Sequence, residues 1–394
     1  METTTDEFAE LVALRRDLHA HPELRFAEHR TAGLVAARLR AAGWDVVEGV
    51  AKTGVVAVLS GERPGPCVAV RADLDALPVP DRKTVPYVSA NPGVCHACGH
   101  DVHTTVVVGL GERLARDRNW PGTVKLLFQP AEEIPFGQAS GGAAMVDAGV
   151  LDNPAVDAVL GLHCWPDLPA GVIGVDNAVA MAAKDAFRIH VAGVGAHAAT
   201  PSRGVDAILV ASQLIGALHH LVSRSTDAGD LASLNVGTVA GGNSQSVLAD
   251  SVEMTGTIRT VDDVVRERLK ARLEQVVAGV TSAAGTTAEV EWANAMPALR
   301  NDPRVVARAH AVLPGPLGAG SVRRLTEPPM TTDDFALYAE RVPGLYFKLG
   351  VAGPDGCHPL HHSLFDVDER AIAAGVDTMD VLVRSLLTQR LGTP

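Results

Sequence analysis

From residue 55 to residue 162, short runs of β-branched and aliphatic residues alternate with stretches of helical spacing, and this alternation constrains the fold more than any other regularity in the chain. Strands are expected at 55–59, 67–72, 123–128 and 156–162, with helices after Thr104 and near 142–147. Runs that are apolar on both faces belong in a largely buried sheet, so the spacing predicts an α/β layout. Upstream, apolar residues recur at helical spacing over 8–18, Thr4 and Glu7 form a capping box ahead of them, and Pro22 ends that helix.

Between 184 and 296 the order changes to strand, helix, strand, strand, helix, strand, at 187–191, 205–222, 233–239, 252–257, 264–283 and 288–292. Two split β-α-β units of this kind make a ferredoxin-like α+β sandwich. The chain then returns through 335–338, a strand at 345–349 and a last helix at 369–391. The expected organisation is therefore a discontinuous first domain, 1–183 with 297–394, interrupted by an inserted domain at 184–296. A chain of 394 residues is long enough for each to bury its own core.

The formal net charge of −12, with no run of Lys or Arg, argues against a nucleic-acid partner. The polar, acidic start lacks the pattern of a secretory signal, and no run of about 18 uninterrupted apolar residues supports a membrane span. Cys67, Cys95, Cys98, Cys164 and Cys357 are odd in number and lack the spacing of a disulfide framework, so reduced thiols and a cytoplasmic location are expected.

Ligand-type residues are densest in Cys95-His96-Ala97-Cys98-Gly99-His100-Asp101-Val102-His103, between a loop and the helix expected near Thr104. A Cys-x-His pair sets a thiolate and an imidazole on one ion, and a thiolate has lone pairs enough to bridge two. Cys95 and Cys98 also form a C-x-x-C pair, which suits thioredoxin-like redox chemistry or half of a structural zinc site, but no second C-x-x-C completes the latter. Gln129-Pro130-Ala131-Glu132-Glu133 follows the strand at 123–128, the position where functional groups of open α/β sheets collect. Adjacent carboxylates there can divide the work, one binding metal and one accepting a proton from water. The strand at 156–162 leads into His163, and Asp73-Leu74-Asp75 closes the strand at 67–72, where a carboxylate orients a ligand from behind. His358, His361 and His362 precede the final helix. In the inserted segment, His197 within Gly195-Ala196-His197-Ala198-Ala199-Thr200-Pro201 either donates to a developing oxyanion or caps the following helix.

Together these motifs resemble the M20 family of metallopeptidases, in its amidohydrolase branch of hippurate hydrolases, N-acyl amino acid amidohydrolases and auxin-conjugate hydrolases. The likeness runs over nearly the whole chain. It includes Arg16-Asp17-Leu18-His19-Ala20-His21-Pro22-Glu23, Arg71-Ala72-Asp73-Leu74-Asp75, His96-Ala97-Cys98-Gly99-His100-Asp101, Gln129 to Glu133, Gly161-Leu162-His163, His197-Ala198-Ala199, Gly256-Thr257-Ile258-Arg259 and Leu360-His361. The resemblance implies a zinc-peptidase-like catalytic domain, a mixed sheet flanked by helices, with the insert serving as lid and dimerisation domain of a homodimer. It further implies two divalent ions, Mn or Zn with Co or Ni also compatible, ligated by Cys98, His100, Glu133, His163 and His361, with Cys98 bridging. Glu132 matches the general base, Asp75 a carboxylate that orients the metal site, and His197 a residue that reaches the substrate across the dimer. Arg259 is the candidate for the substrate's free carboxylate by analogy. The expected substrate is a small N-acyl amino acid; a dipeptidase or carboxypeptidase on the same scaffold, or a metal-binding protein without turnover, are the rival readings. The chain departs from the family pattern at Val102, Ser202, Ser246-Val247-Leu248-Ala249 and Ser363, positions that bear on the pocket and lid.

Overall fold

In the computed structural model, which describes residues 3–176, 178–318 and 320–391, Thr4 and Glu7 close the reciprocal capping box that starts α1 (Thr5–Ala20). The elements that follow are α2 (His29–Ala41), β1 (Asp45–Val50), β2 (Gly54–Ser60), β3 (Arg63–Asp73), α3 (His100–Arg116), β4 (Pro121–Gln129), α4 (Gly141–Asp147), β5 (Ala158–Pro169), β6 (Ile173–Asp176), β7 (Val179–Met181) and β8 (Ala183–Ala192). Then come α5 (Ala207–Ser225), β9 (Ala232–Gly241), β10 (Ser251–Thr260), α6 (Asp263–Ala283), β11 (Ala288–Met296) and β12 (Leu299–Arg300). The chain closes with α7 (Pro303–Val312), α8 (Pro314–Leu317), β13 (Val322–Leu325), α9 (Ala336–Ala339), β14 (Gly344–Ala352) and α10 (Arg370–Thr388). The terminal residues 1–2 and 392–394 of the first expected domain lie outside the described residues.

The large sheet has eight strands in the order β1-β2-β4-β3-β5-β14-β6-β13. Its centre, β4-β3-β5-β14, is parallel, and antiparallel pairs flank it. The central strands are buried along most of their length, which is why they read as continuous apolar runs rather than as alternation. Helices α1, α3 and α10 pack on one face, where Leu11, Leu18, Val106, Leu110, Val376 and Met379 join one core.

The second sheet is antiparallel, in the order β11-β8-β10-β9, with α5 and α6 packed together over it around a separate core. That strand order is the ferredoxin-like one. Helix α5 is long and apolar enough to cross a membrane by length and composition. Here Val210, Leu214, Leu218 and Leu221 instead bury one stripe against the sheet, as a core helix does.

A buried charge network ties α1 to the N-terminus of α3. The Arg15 guanidinium donates to Asp101 at 2.8 Å, His19 Nδ1 lies 2.7 Å from the same carboxylate, and His19 Nε2 is 3.3 Å from Asp81, which Lys83 also reaches. Burial opposes charge on His19, but the two carboxylates overcome it and raise its pKa to about 10. The unfolded value is about 6.5, so the stability this imidazolium supplies is fully present below that pH and is lost as pH rises toward about 10. The wild-type urea midpoint should therefore fall across that window by more than that of His19→Gln. Parallel pH profiles for the two proteins would refute the assignment.

Candidate metal and catalytic site

β3 and β4 end side by side, with Asp73 opposite Gln129, and the segments after them meet over the sheet edge. Ala131 turns the chain with a left-handed φ of 49°, and its N–H donates to Glu28 at 2.9 Å. The next two N–H groups, of Glu132 and Glu133, donate to the two oxygens of Asp75 at 3.1 and 3.0 Å. Asp75 therefore holds the backbone that presents both glutamates.

Two expectations about strand and helix ends are corrected. Helix α3 begins at His100 rather than near Thr104, because Gly99 supplies a left-handed N-cap at φ 87°. A Cβ at Gly99 would lie 2.8 Å from Cys164 Sγ, so the turn that separates Cys98 from His100 admits only glycine. His163 is not at a strand end either: β5 continues to Pro169 because β14 pairs with it beyond His163, whereas β3 leaves it at Gly161.

Cys98 Sγ lies 3.5 Å from His163 Nε2 and 3.3 Å from His361 Nε2, and His361 Nε2 is 2.9 Å from Glu133 Oε1. Cys98, His100 and His163 form one group with ligand atoms within 4.8 Å of one another, as do Cys98, Glu133 and His361, and also His100, Glu132 and Glu133. All five expected ligands, with Glu132, thus share one place. His361 itself adopts a left-handed φ of 66°, and its N–H donates to Ala97 O at 2.7 Å, so the ligand loops brace each other.

Hydrogen bonds sort the histidines. His100 Nδ1 lies 2.8 Å from Asp75 O, and its Nε2 is buried with no partner. His163 Nδ1 lies 2.8 Å from Cys164 O, which leaves Nε2 toward Cys98. His103, one turn beyond His100, uses both nitrogens: Nε2 accepts from Cys164 N–H at 2.9 Å, so Nδ1 donates to Asp73 at 2.7 Å. His103 has no lone pair left for an ion. His96 is buried with neither ring nitrogen bonded, and burial lowers its pKa to about 3, so it is neutral. His358 and His362 are exposed and stack on each other. Cys95 and Cys98 are free thiols in different surroundings, Cys95 beside Lys83 and His19 and Cys98 beside His163 and His361.

The field is strongly negative. Burial opposes charge on His100, but Asp73, Asp75 and Glu133 raise its pKa to about 10. Burial, followed by Glu133, Asp333, Asp334 and Asp75, pushes the Glu132 carboxyl well above the usual carboxylate range. Burial acts in the same direction on Glu133, but His361 outweighs it and lowers that carboxyl. An unpartnered imidazole nitrogen, a thiol and an excess of carboxylates form a donor set that fits divalent cations.

The residues open onto a cavity of about 270 Å³, whose lining includes Cys98, Glu132, Glu133, His163, His361 and Arg259. Arg259 donates to Met330 O at 2.8 Å and Thr332 Oγ1 at 3.0 Å. His197 is exposed on the small-sheet unit, bridged to Val247, and is not among the described residues lining this cavity.

Sequence reasoning missed the support beneath the site. Arg71 donates to Gln129 at 2.9 Å and forms ion pairs with Asp73 at 2.6 Å and Asp334 at 2.7 Å, all buried. Gln129 and the N–H of Gly142 also donate to Asp334. The available signal was the acidic pair Asp333-Asp334 directly ahead of the buried Phe335, the mirror of a glutamate pair directly after a buried strand. Lys184 and Trp165 in the cavity lining carried no such signal.

Residues 69–385 match peptidase family M20/M25/M40. The chain belongs to this family and is a hydrolase of it. It is 38% identical to the N-acetyl-L-cysteine deacetylase of Bacillus subtilis, over 92% of this chain and 85% of that protein. It is 41% identical to the N-acyl-L-amino acid amidohydrolase of Geobacillus stearothermophilus, over 72% of this chain and 75% of that one. Among solved structures it superposes on the Bacillus subtilis YXEP protein, described as a dinuclear metal-binding peptidase of the M20 family, with a TM-score of 0.83 and 32% identity over 98% and 99% of the two chains.

Proposed function

We propose that this chain hydrolyses the amide bond of small N-acyl amino acids with two divalent ions, which Cys98, His100, Glu133, His163 and His361 would hold. The convergence of Cys98 Sγ with the ring nitrogens of His163 and His361, beside the unpartnered Nε2 of His100, carries this reading. The named activities of the two bacterial relatives and the dinuclear description of the solved structure point the same way. Bound divalent ions supply a polarised carbonyl and a water acidic enough to attack at neutral pH.

The protein's own groups do the rest. Glu132 accepts the proton of the attacking water and passes it to the departing nitrogen as the C–N bond breaks, leaving a carboxylate and a free amine. Asp75 fixes Glu132 and Glu133 through their N–H groups and accepts from His100, so it positions base and ligands together. Arg259 faces the free carboxylate of the substrate.

The reading divides the chain into a catalytic unit, 1–183 with 297–394, and a lid at 184–296, and makes the active form a homodimer through the lid. Val194, Val247, Ile208 and Leu209 are large apolar residues exposed on the lid, and β9 is an edge strand. His197, bridged to Val247 on that surface, then serves the neighbouring subunit's oxyanion. Five free cysteines fit a reducing, cytoplasmic setting.

Chelation should reduce hydrolysis of N-acetyl and N-benzoyl amino acids to background, and single divalent metals added back should restore it. Dipeptides assayed in parallel separate the peptidase alternative. Undiminished turnover by protein shown to be metal-free would overturn the proposal.

A further inference from the structure

β8 and β10 pair antiparallel with Arg259 directly opposite Lys184, and both side chains line the cavity that holds Glu132, Glu133 and Cys98. Like charges directly opposite on one face of a sheet destabilise it, and partly buried cations without an anion cost more still. Neither makes an ion pair among the described residues; Glu133 is the carboxylate whose field reaches Arg259, and it is already engaged with His361. Lys184 also lines a second cavity of about 240 Å³, which adjoins the first through Ile134 and Lys184. Its other polar side chains, Asn235, Thr255, Thr257 and Asn294, are neutral hydrogen-bonding groups, so Lys184 is the only charge on its described lining.

A cation pair side by side in the first cavity, with Lys184 also reaching the second, suits a ligand that carries two negative charges. We propose that Arg259 and Lys184 together bind a dicarboxylic amino-acid half, Arg259 at the α-carboxylate and Lys184 at the side-chain carboxylate, so that the chain prefers N-acyl glutamate or aspartate over neutral N-acyl amino acids. This rests on the amidohydrolase reading and names its substrate class. Lys184 acts as a specificity residue rather than a catalytic one.

The test compares N-acetyl-L-glutamate with N-acetyl-L-glutamine, which match in shape and differ in charge, on the metal-loaded enzyme. One charge-assisted contact predicts a kcat/KM advantage for glutamate of about ten- to hundred-fold, carried mainly in KM. In Lys184→Met that ratio should collapse to near one, and in Lys184→Arg it should persist. Metal-free protein titrated calorimetrically should bind L-glutamate more tightly than L-glutamine, and Lys184→Met should abolish the difference. Equal handling of the two substrates by wild type, or a full preference retained in Lys184→Met, would overturn the inference while leaving the amidohydrolase reading intact if N-acetyl-L-methionine is hydrolysed. If no N-acyl amino acid is hydrolysed the parent reading fails, and the titration still decides whether Lys184 selects a second carboxylate.

Discussion

Replacing Glu132 by Gln should lower kcat by about 10²–10⁴-fold, the span that a positioned general acid–base group contributes, while metal content and melting temperature stay at wild-type values. The amide keeps the length and shape of the side chain but cannot take a proton from water or return one to nitrogen. Its backbone anchor is untouched, because Asp75 holds residue 132 through the main-chain N–H. Burial, followed by Glu133, Asp333, Asp334 and Asp75, pushes the carboxyl at this position upward, the kind of shift found at groups that exchange protons. Steady-state kinetics with a metal assay on the same preparation decide the matter. Turnover within a few-fold of wild type at full metal occupancy would take the base role away from Glu132.

The second large effect is on stability. Arg71→Met should cost about 3–5 kcal/mol, the usual penalty for removing one partner of a buried ion pair. Arg71 is fully buried and its guanidinium lies against Asp73, Asp333 and Asp334, with Gln129 completing its bonds. Methionine fills similar space but leaves those carboxylates stranded beneath the site. Urea denaturation should show the loss as a lower midpoint. Adding Asp334→Asn should recover part of it, since one stranded charge is then gone and the two positions are in direct contact. A midpoint unchanged from wild type would mean that the acidic group beneath β3 does not need its counter-ion.

Where a segment's structure comes from its own residues, the sequence reading reached it. Thr4 and Glu7 satisfy the first turn of α1 between themselves, and the apolar runs of β3, β4 and β14 are strands buried on both faces over most of their length. Several of the elements that were missed depend on partners. β1 is largely exposed and exists by pairing with β2, while β6 and β13 have four residues each, too few to show a period, and find each other across more than 140 positions. α2 mixes Arg with Ala, and the stripe it buries, Thr31, Ala32, Val35, Ala36 and Leu39, is made largely of small residues.

The same division runs through the site. The amino-acid order by itself singled out the ligand-type residues that the fold brings together: Cys98, His100, Glu132, Glu133 and His361 lie in or beside loops at strand or helix ends, a local property, whereas His163 stands within β5. Only the tertiary structure decided which of their atoms are free. His100 and His103 sit one turn apart on α3, yet one keeps a buried, unpartnered nitrogen and the other is used up between Asp73 and Cys164 N–H. Lys184 and Arg259 are separated by 75 positions and become neighbours only through the register of β8 and β10. A donor's lone pair is free or taken, and a charge solvated or stranded, according to which groups surround it, and distant segments supply those groups only once the chain has folded.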